Sequence, residues 1–221
     1  MLKLAPQTQF TAKFVDLHKN PNNNANKKTN HLPPRKTLNK EKRAREYLVA
    51  HEIEALRKSA RYSGRYGHRD DTLVLLMYRH GLRVSEVVNL KWEQADLKMG
   101  LLHVRRVKNG QPSTHPLRGI ELRALRQLKR ENPHSAYVFS SMRGTPLTTR
   151  RVREIIATAG QNANIGFPVS PHMLRHSTGF YLANAGRDTR SIQSYLGHSS
   201  INSTVIYTQL STNRFKDFWS D

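Results

Sequence analysis

The side chains best suited to chemistry on a phosphate lie in four short strings. In Gly81-Leu82-Arg83-Val84-Ser85-Glu86 an arginine follows a glycine turn at a helix entrance. A short, rigid backbone holds such a guanidinium beside free N–H groups, and both features favour a phosphate oxygen. Glu86, three residues on, is placed to orient it; the plainer alternative is a surface Arg–Glu pair at i,i+3. In Pro171-His172-Met173-Leu174-Arg175-His176, His172 and Arg175 share one helix face near its start. That face can offer a fork of donors and an imidazole to one anion. His172 and His176, four apart, have the spacing of metal ligands, but the intervening acid of a zinc-protease helix is missing, and so is any cysteine. A solvated basic helix end is the alternative to both. Lys108, just before Asn109-Gly110, can reach from a hairpin rim and give up a proton if nearby cations lower its pKa; otherwise it is an ordinary turn lysine. The fourth string, Tyr195-Leu196-Gly197-His198-Ser199-Ser200, leads towards Tyr207. Tyr207 is one of eight tyrosines, and its local spacing does not mark it as reactive.

The elements that must position these groups are mainly helical. Residues 50–60 put Ile53 and Leu56 on one face. Asp70 and Asp71 are candidate caps for an apolar helix running to Arg79 and stopped by Gly81. Further helices are expected over 85–90, 121–131, 149–162, 172–185, 189–196 and 201–208. Pro171 suits a first turn, Gly186 an exit and Asp188 the next cap. Residues 101–107 alternate loosely, Asn109-Gly110 is a hairpin signal, and 113–117 form the return strand. The expected fold is mainly α with a small antiparallel β-hairpin or three-stranded sheet.

Composition narrows the partners. The chain has 221 residues, 37 Lys+Arg against 16 Asp+Glu, and a formal net charge of +21. Up to Tyr47 there are 11 basic and 3 acidic residues, leaving 26 and 13 beyond, so the cationic excess is not confined to a tail. Such a surface repels itself, and a polyanion relieves the repulsion while releasing counterions. Nucleic acid is the expected partner; a ribosome-associated role or an anionic membrane surface are the bland alternatives. The longest apolar run, residues 73–78, is far short of the ~20 residues of a spanning helix. Residues 1–14 lack the apolar core of a signal peptide. The absence of cysteine removes disulfides, thiolate metal sites and thiol nucleophiles. Residues 1–46, with the polar run at 21–28 and Pro33-Pro34, are expected to be a basic, low-complexity, largely disordered arm.

Taken in order, the strings resemble the tyrosine recombinase (phage integrase) family: Arg with a following Glu, hairpin Lys, His-x-x-Arg, Gly-His, then Tyr nine residues later. The likeness runs from Tyr47 to Thr208. The stretches Val107-Lys108-Asn109-Gly110 to His115-Pro116-Leu117 and Asp188-Thr189-Arg190-Ser191-Ile192-Gln193 look most like the small Fim-type DNA invertases. The resemblance implies an α+β catalytic domain over 47–208 that cuts and rejoins double-stranded DNA. Tyr207 would attack the phosphodiester to give a 3′-phosphotyrosyl link and a free 5′-hydroxyl. Arg83 and Arg175 would clamp the nonbridging oxygens, Lys108 would protonate the leaving 5′-oxygen, and His172 would assist proton transfer at the tyrosine. His198 would hydrogen-bond a phosphate oxygen, with Glu86 behind the first arginine. The covalent link conserves the bond energy, so neither ATP nor a metal ion is called for, and no cofactor is expected. A homotetramer on paired DNA sites, accessory DNA-bending proteins and a cytoplasmic, nucleoid-associated location also follow from the resemblance.

Two features stand apart from it. Many integrases carry a helical core-binding domain of roughly a hundred residues ahead of the catalytic region, where this chain has only the arm. Residues 209–221 carry Phe215, Phe218 and Trp219 at helical spacing, suited to packing on their own domain or docking on a neighbouring protomer. A type IB topoisomerase and a noncatalytic DNA-binding regulator are the alternative functions.

Overall fold

The apolar run at 73–77 belongs to the main hydrophobic core of the described residues. It belongs to α2 (Gly67–His80), where Leu73, Val74, Leu75, Leu76 and Met77 are all buried. A helix apolar on every side must be covered on every side. Here α1 (Ala50–Tyr62), α4 (Gly119–Glu131) and α6 (Pro171–Asn184) pack around it, and α5 (Thr149–Asn162) leans on α1. In this computed structural model residues 45–106 and 110–211 are described. The expected arm therefore lies outside the described residues, apart from Arg45 and Glu46, as do Lys108 and the aromatic tail residues.

Helix α2 begins earlier than the sequence suggests. Asp70 and Asp71 do not cap it; both lie inside its first two turns. Asp70 accepts from Arg69 at 2.8 Å, and Asp71 is held by Arg57 and Arg61 of α1 at 2.8 and 2.9 Å. Their carboxylates found guanidiniums rather than helix-end N–H groups. The helix ends as expected, with Gly81 in the left-handed region at φ 58° and its N–H on the Met77 carbonyl. Asp188 caps α7 (Thr189–Leu196) by accepting from the Ser191 N–H at 2.9 Å, and Pro171 opens α6.

The sheet is three-stranded and antiparallel, in the order β1 (Ala95–Asp96), β2 (Leu101–Val104), β3 (Ser113–Pro116). The register pairs Leu102 with His115 and Val104 with Ser113. The first hairpin strand therefore stops at Val104, not at 107, and the return strand starts at Ser113. The reason is Arg106, whose side chain turns inward and is fully buried, which takes the backbone off the ladder. Behind the sheet His80, His115 and Glu121 form a buried polar core. Nδ1 of His80 lies 3.1 Å from Nδ1 of His115, and Nε2 of His80 lies 2.8 Å from the Glu121 carboxylate.

A second, smaller apolar cluster contains Ala183, Ile192, Leu196 and Tyr207, and joins α6 and α7 to α8 (Asn202–Leu210). Among the described residues no helix is long and apolar enough to cross a membrane.

Candidate active site

Arg83 caps the five-residue helix α3 (Val84–Val88), directly after the Gly81 turn. Its Nη1 donates to Glu86 Oε1 at 2.7 Å and its backbone N–H donates to Glu86 Oε2 at 2.9 Å. The i,i+3 pair is thus no surface ion pair, because the Glu86 side chain is buried. Arg106 reaches the same carboxylate from beyond the end of β2, its Nη1 2.9 Å from Oε2. Burial pushes the Glu86 carboxyl up, but Arg106, then the hydrogen bonds from Arg83, outweigh it and hold its pKa below the usual range.

Arg175, on the second turn of α6, is 2 % exposed. Its Nη1 donates to the Gly81 carbonyl at 2.6 Å and its Nη2 to the Leu196 carbonyl at 2.7 Å. Both acceptors are helix-end carbonyls, the groups a helix leaves without internal partners. Arg106 Nη2 uses two more, from His80 at 3.2 Å and Tyr195 at 2.5 Å. Gly81 has to be glycine: its φ is positive, and a Cβ there would sit 2.4 Å from Leu196 Cδ2. Through that turn Arg83, Arg106 and Arg175 converge around Glu86. Burial first, then the charges of Arg83 and Arg106, bring Arg175 down to about 9. At neutral pH it remains a cation. Arg83 and Arg106 bond to Glu86 and Arg175 lies within electrostatic range of all three; three guanidiniums against one carboxylate leave an excess of positive charge that a phosphodiester would balance.

The histidines are neutral in this setting. His198 is lowered to about 3 by burial, then by Arg175, Arg83 and Arg106; its Nδ1 is 2.8 Å from Thr204 Oγ1. His172 stands at the entrance of α6, exposed, and is lowered by partial desolvation and then by Arg175. His176 is lowered to about 4 by burial, His172 and Arg175. Tyr207, 3 % exposed, comes from α8. Its ring stacks loosely on His198, with centroids 6.3 Å apart at 23°, and its hydroxyl lies 2.9 Å from His176 Nδ1. Burial raises the phenol to about 12, against the opposing pull of Arg175 and Arg83.

The structure thus brings together Arg83, Glu86, His172, Arg175, His198 and Tyr207 from α3, α6, α8 and the link before α8. Lys108 lies outside the described residues. Three contributors escaped the sequence reading. Arg106 is one of two consecutive arginines, and nothing local says that it points inward. His176 entered only as a partner of His172 in a metal pair, whereas its Nδ1 is turned to Tyr207; among the described residues no three of His, Asp and Glu gather as a metal site. Gly179 gives no sequence signal, yet a Cβ there would lie 2.5 Å from Tyr207 ring carbons.

Comparison with known proteins gives the family and the fold. A family model described as the phage integrase family matches residues 46–214. Over 180 residues the chain is 43% identical to the type 1 fimbriae regulatory protein FimB of Escherichia coli (strain K12), covering 79% of this chain and 90% of that protein. It is 34% identical over 197 residues to the tyrosine recombinase XerC of Bacillus subtilis (strain 168), covering 85% of this chain and 62% of that one. The crystal structure of XerA recombinase matches with a TM-score of 0.68 and 28% sequence identity, over 78% of this chain and 63% of the XerA chain. This chain therefore spans under two thirds of XerC and of XerA, but nearly all of FimB.

Proposed function

This chain belongs to the phage integrase family, and we propose that within it the protein is a site-specific recombinase that cuts and rejoins double-stranded DNA through a 3′-phosphotyrosyl link on Tyr207. The observation that carries the proposal is the placement of one buried phenol within electrostatic range of Arg83 and the buried Arg175. Tyr207 and both arginines are in one chain, so each protomer can complete its own cleavage site.

The reaction divides among the residues by chemistry. Arg83 and Arg175 hold the nonbridging oxygens, where charge accumulates in the pentavalent transition state. Glu86 fixes Arg83, and Arg106 fixes Glu86. His198, with Nδ1 occupied by Thr204, has Nε2 to offer the phosphate. Lys108 gives a proton to the departing 5′-oxygen. His172, edge-on to His176 with centroids 4.3 Å apart, assists proton exchange at the phenol from one ring further out. Attack of the partner strand's 5′-hydroxyl on the phosphotyrosyl link then reseals the DNA without ATP.

Exchange between two duplexes cuts four strands, and each protomer brings one Tyr207. That stoichiometry favours a homotetramer on paired sites, with DNA-bending proteins as helpers in bringing the sites together. The arrangement of the sites, not the catalytic residues, decides among inversion, integration and excision; the likeness to FimB along most of that protein's length favours inversion.

Tyr207→Phe tests the reading. Sites are first selected from a randomised duplex pool by binding to that variant, then offered as nicked duplexes. Wild-type protein should become covalently attached to them. Tyr207→Phe should bind with unchanged affinity and give no adduct; an adduct from the variant would refute the assignment, and relaxation of supercoils without strand exchange would point to the topoisomerase alternative.

A further inference from the structure

We propose that His176 is the base that takes the proton of Tyr207 as the phenol attacks and hands it back when the strand is resealed. This rests on the recombinase reading of the same site. Among the described residues His176 is the ring whose nitrogen lies within hydrogen-bonding distance of the Tyr207 hydroxyl, Nδ1 to Oη 2.9 Å. His198 is not placed for it, since its Nδ1 is engaged by Thr204 and its ring lies along the face of Tyr207. His172 meets the edge of the His176 ring at 82°.

The contact is held by the packing of two helices. Gly179 lies one turn beyond His176 on α6, and the Tyr207 ring lies directly on it. The missing Cβ lets α8 come close enough for the hydroxyl to meet the imidazole. Tyr207 is almost wholly withdrawn from solvent, so bulk water is a poor proton acceptor for it.

The charged and titratable groups facing His176 are His172 and Arg175 on its own helix, Tyr207 on α8, and His198 before α8. With burial, the α6 neighbours keep the imidazole neutral at physiological pH, so an Nδ1 lone pair can accept while Nε2 carries the hydrogen. The free phenol is far from ionising at that pH. As Oη bonds to phosphorus it becomes an aryl ester oxygen, whose hold on its proton collapses, and the proton passes to Nδ1. The 5′-oxygen leaves with a proton from the Lys108 side. In resealing, the 5′-hydroxyl attacks phosphorus and returns its proton to the Lys108 side, while the Tyr207 oxygen departs and recovers the proton from Nδ1. An incoming phosphate also places a negative charge near the ring, which raises its basicity when it is needed.

The test is single-turnover cleavage of the selected nicked duplex, followed between about pH 6 and pH 8. Wild-type protein should show a nearly flat rate. His176→Asn keeps an amide oxygen able to accept the phenol's hydrogen bond but cannot hold a proton. It should bind the duplex normally, cleave about 10²–10⁴-fold more slowly, and show a rate rising about tenfold per pH unit, because ionisation of the phenol then limits it. His176→Gln should give the same slope, which separates the effect from a folding defect in one variant. A 5′-bridging phosphorothiolate, whose leaving group needs no proton, should not rescue either variant. A wild-type rate with a flat profile in His176→Asn would reduce His176 to a positioning residue and overturn the proposal. So would rescue by the phosphorothiolate, or the steep slope appearing in His172→Asn and not in His176→Asn. An adduct formed by Tyr207→Phe would instead remove the recombinase reading beneath it.

Discussion

Arg175 shows why the residue types matter more than the charge. Its planar fork spans two carbonyls from different elements, Gly81 at 2.6 Å and Leu196 at 2.7 Å, while its cation lies within electrostatic range of Arg83. A lysine ammonium is a compact point charge and cannot bridge both carbonyls and a phosphate from one position. Arg175→Lys should therefore keep DNA binding and lose about 10²–10³-fold in adduct formation, the size of effect seen when one transition-state donor is removed. Gel quantification of the adduct on a nicked site checks this, and near-normal cleavage would argue against a two-arginine clamp. The arginine motifs were legible because a glycine turn and an i,i+3 spacing are local. Arg106 was not: its partners Glu86, His80 and Tyr195 come from α3, α2 and α7, and no local periodicity announces them.

Among the elements, the packing of α6 on α8 decides where the nucleophile sits. A Cβ added at Gly179 would stand 2.5 Å from two Tyr207 ring carbons, so the helices must separate or the phenol must move. Alanine is intrinsically better than glycine inside a helix by about 1 kcal/mol, so α6 itself gains nothing from the glycine; Tyr207 does. Gly179→Ala should leave the helical circular dichroism unchanged and cut adduct formation by about 10²-fold, the usual cost of an ångström-scale misplacement of a reacting group. Full activity would mean that the close approach is not needed. The helices themselves followed from apolar spacing and capping residues, and Asp188 and Gly81 sit where those signals put them. The start of α2 and the end of β2 did not, because Asp70, Asp71 and Arg106 took partners from other elements.

For the whole molecule, buried neutral histidines set a pH window for stability. His115 and His198 are lowered to about 3 and His176 to about 4, each chiefly by burial. In the unfolded chain the same rings take up protons near the ordinary value of about 6.5. Below that pH the unfolded state binds more protons than the native one, so native stability falls as pH falls, and above it the contribution is complete. Without DNA, the melting temperature should be flat above about pH 7 and drop steadily towards the folded pKa values, at about 3 to 4. His176→Asn should weaken that drop. A melting temperature that rises on acidification would contradict the burial of these rings. DNA acts in the opposite sense, since a phosphate at the site favours protonation of His198 and His172 and so offsets part of the loss.

By itself the sequence determined the helical order, the small sheet and the cationic excess, because each is written in local spacing, composition or capping chemistry. The six candidate site residues came from the order of the motifs along the chain and not from the local spacing of any one of them. Only the tertiary structure decided that Arg106 anchors Glu86, that Gly179 receives the Tyr207 ring and that His176 meets its hydroxyl. Those contacts join residues from 20 positions apart, as in Arg106 and Glu86, to 31, as in His176 and Tyr207. Separations of that kind are fixed by how whole helices pack, and packing is a property of three-dimensional shape that no short window of sequence contains.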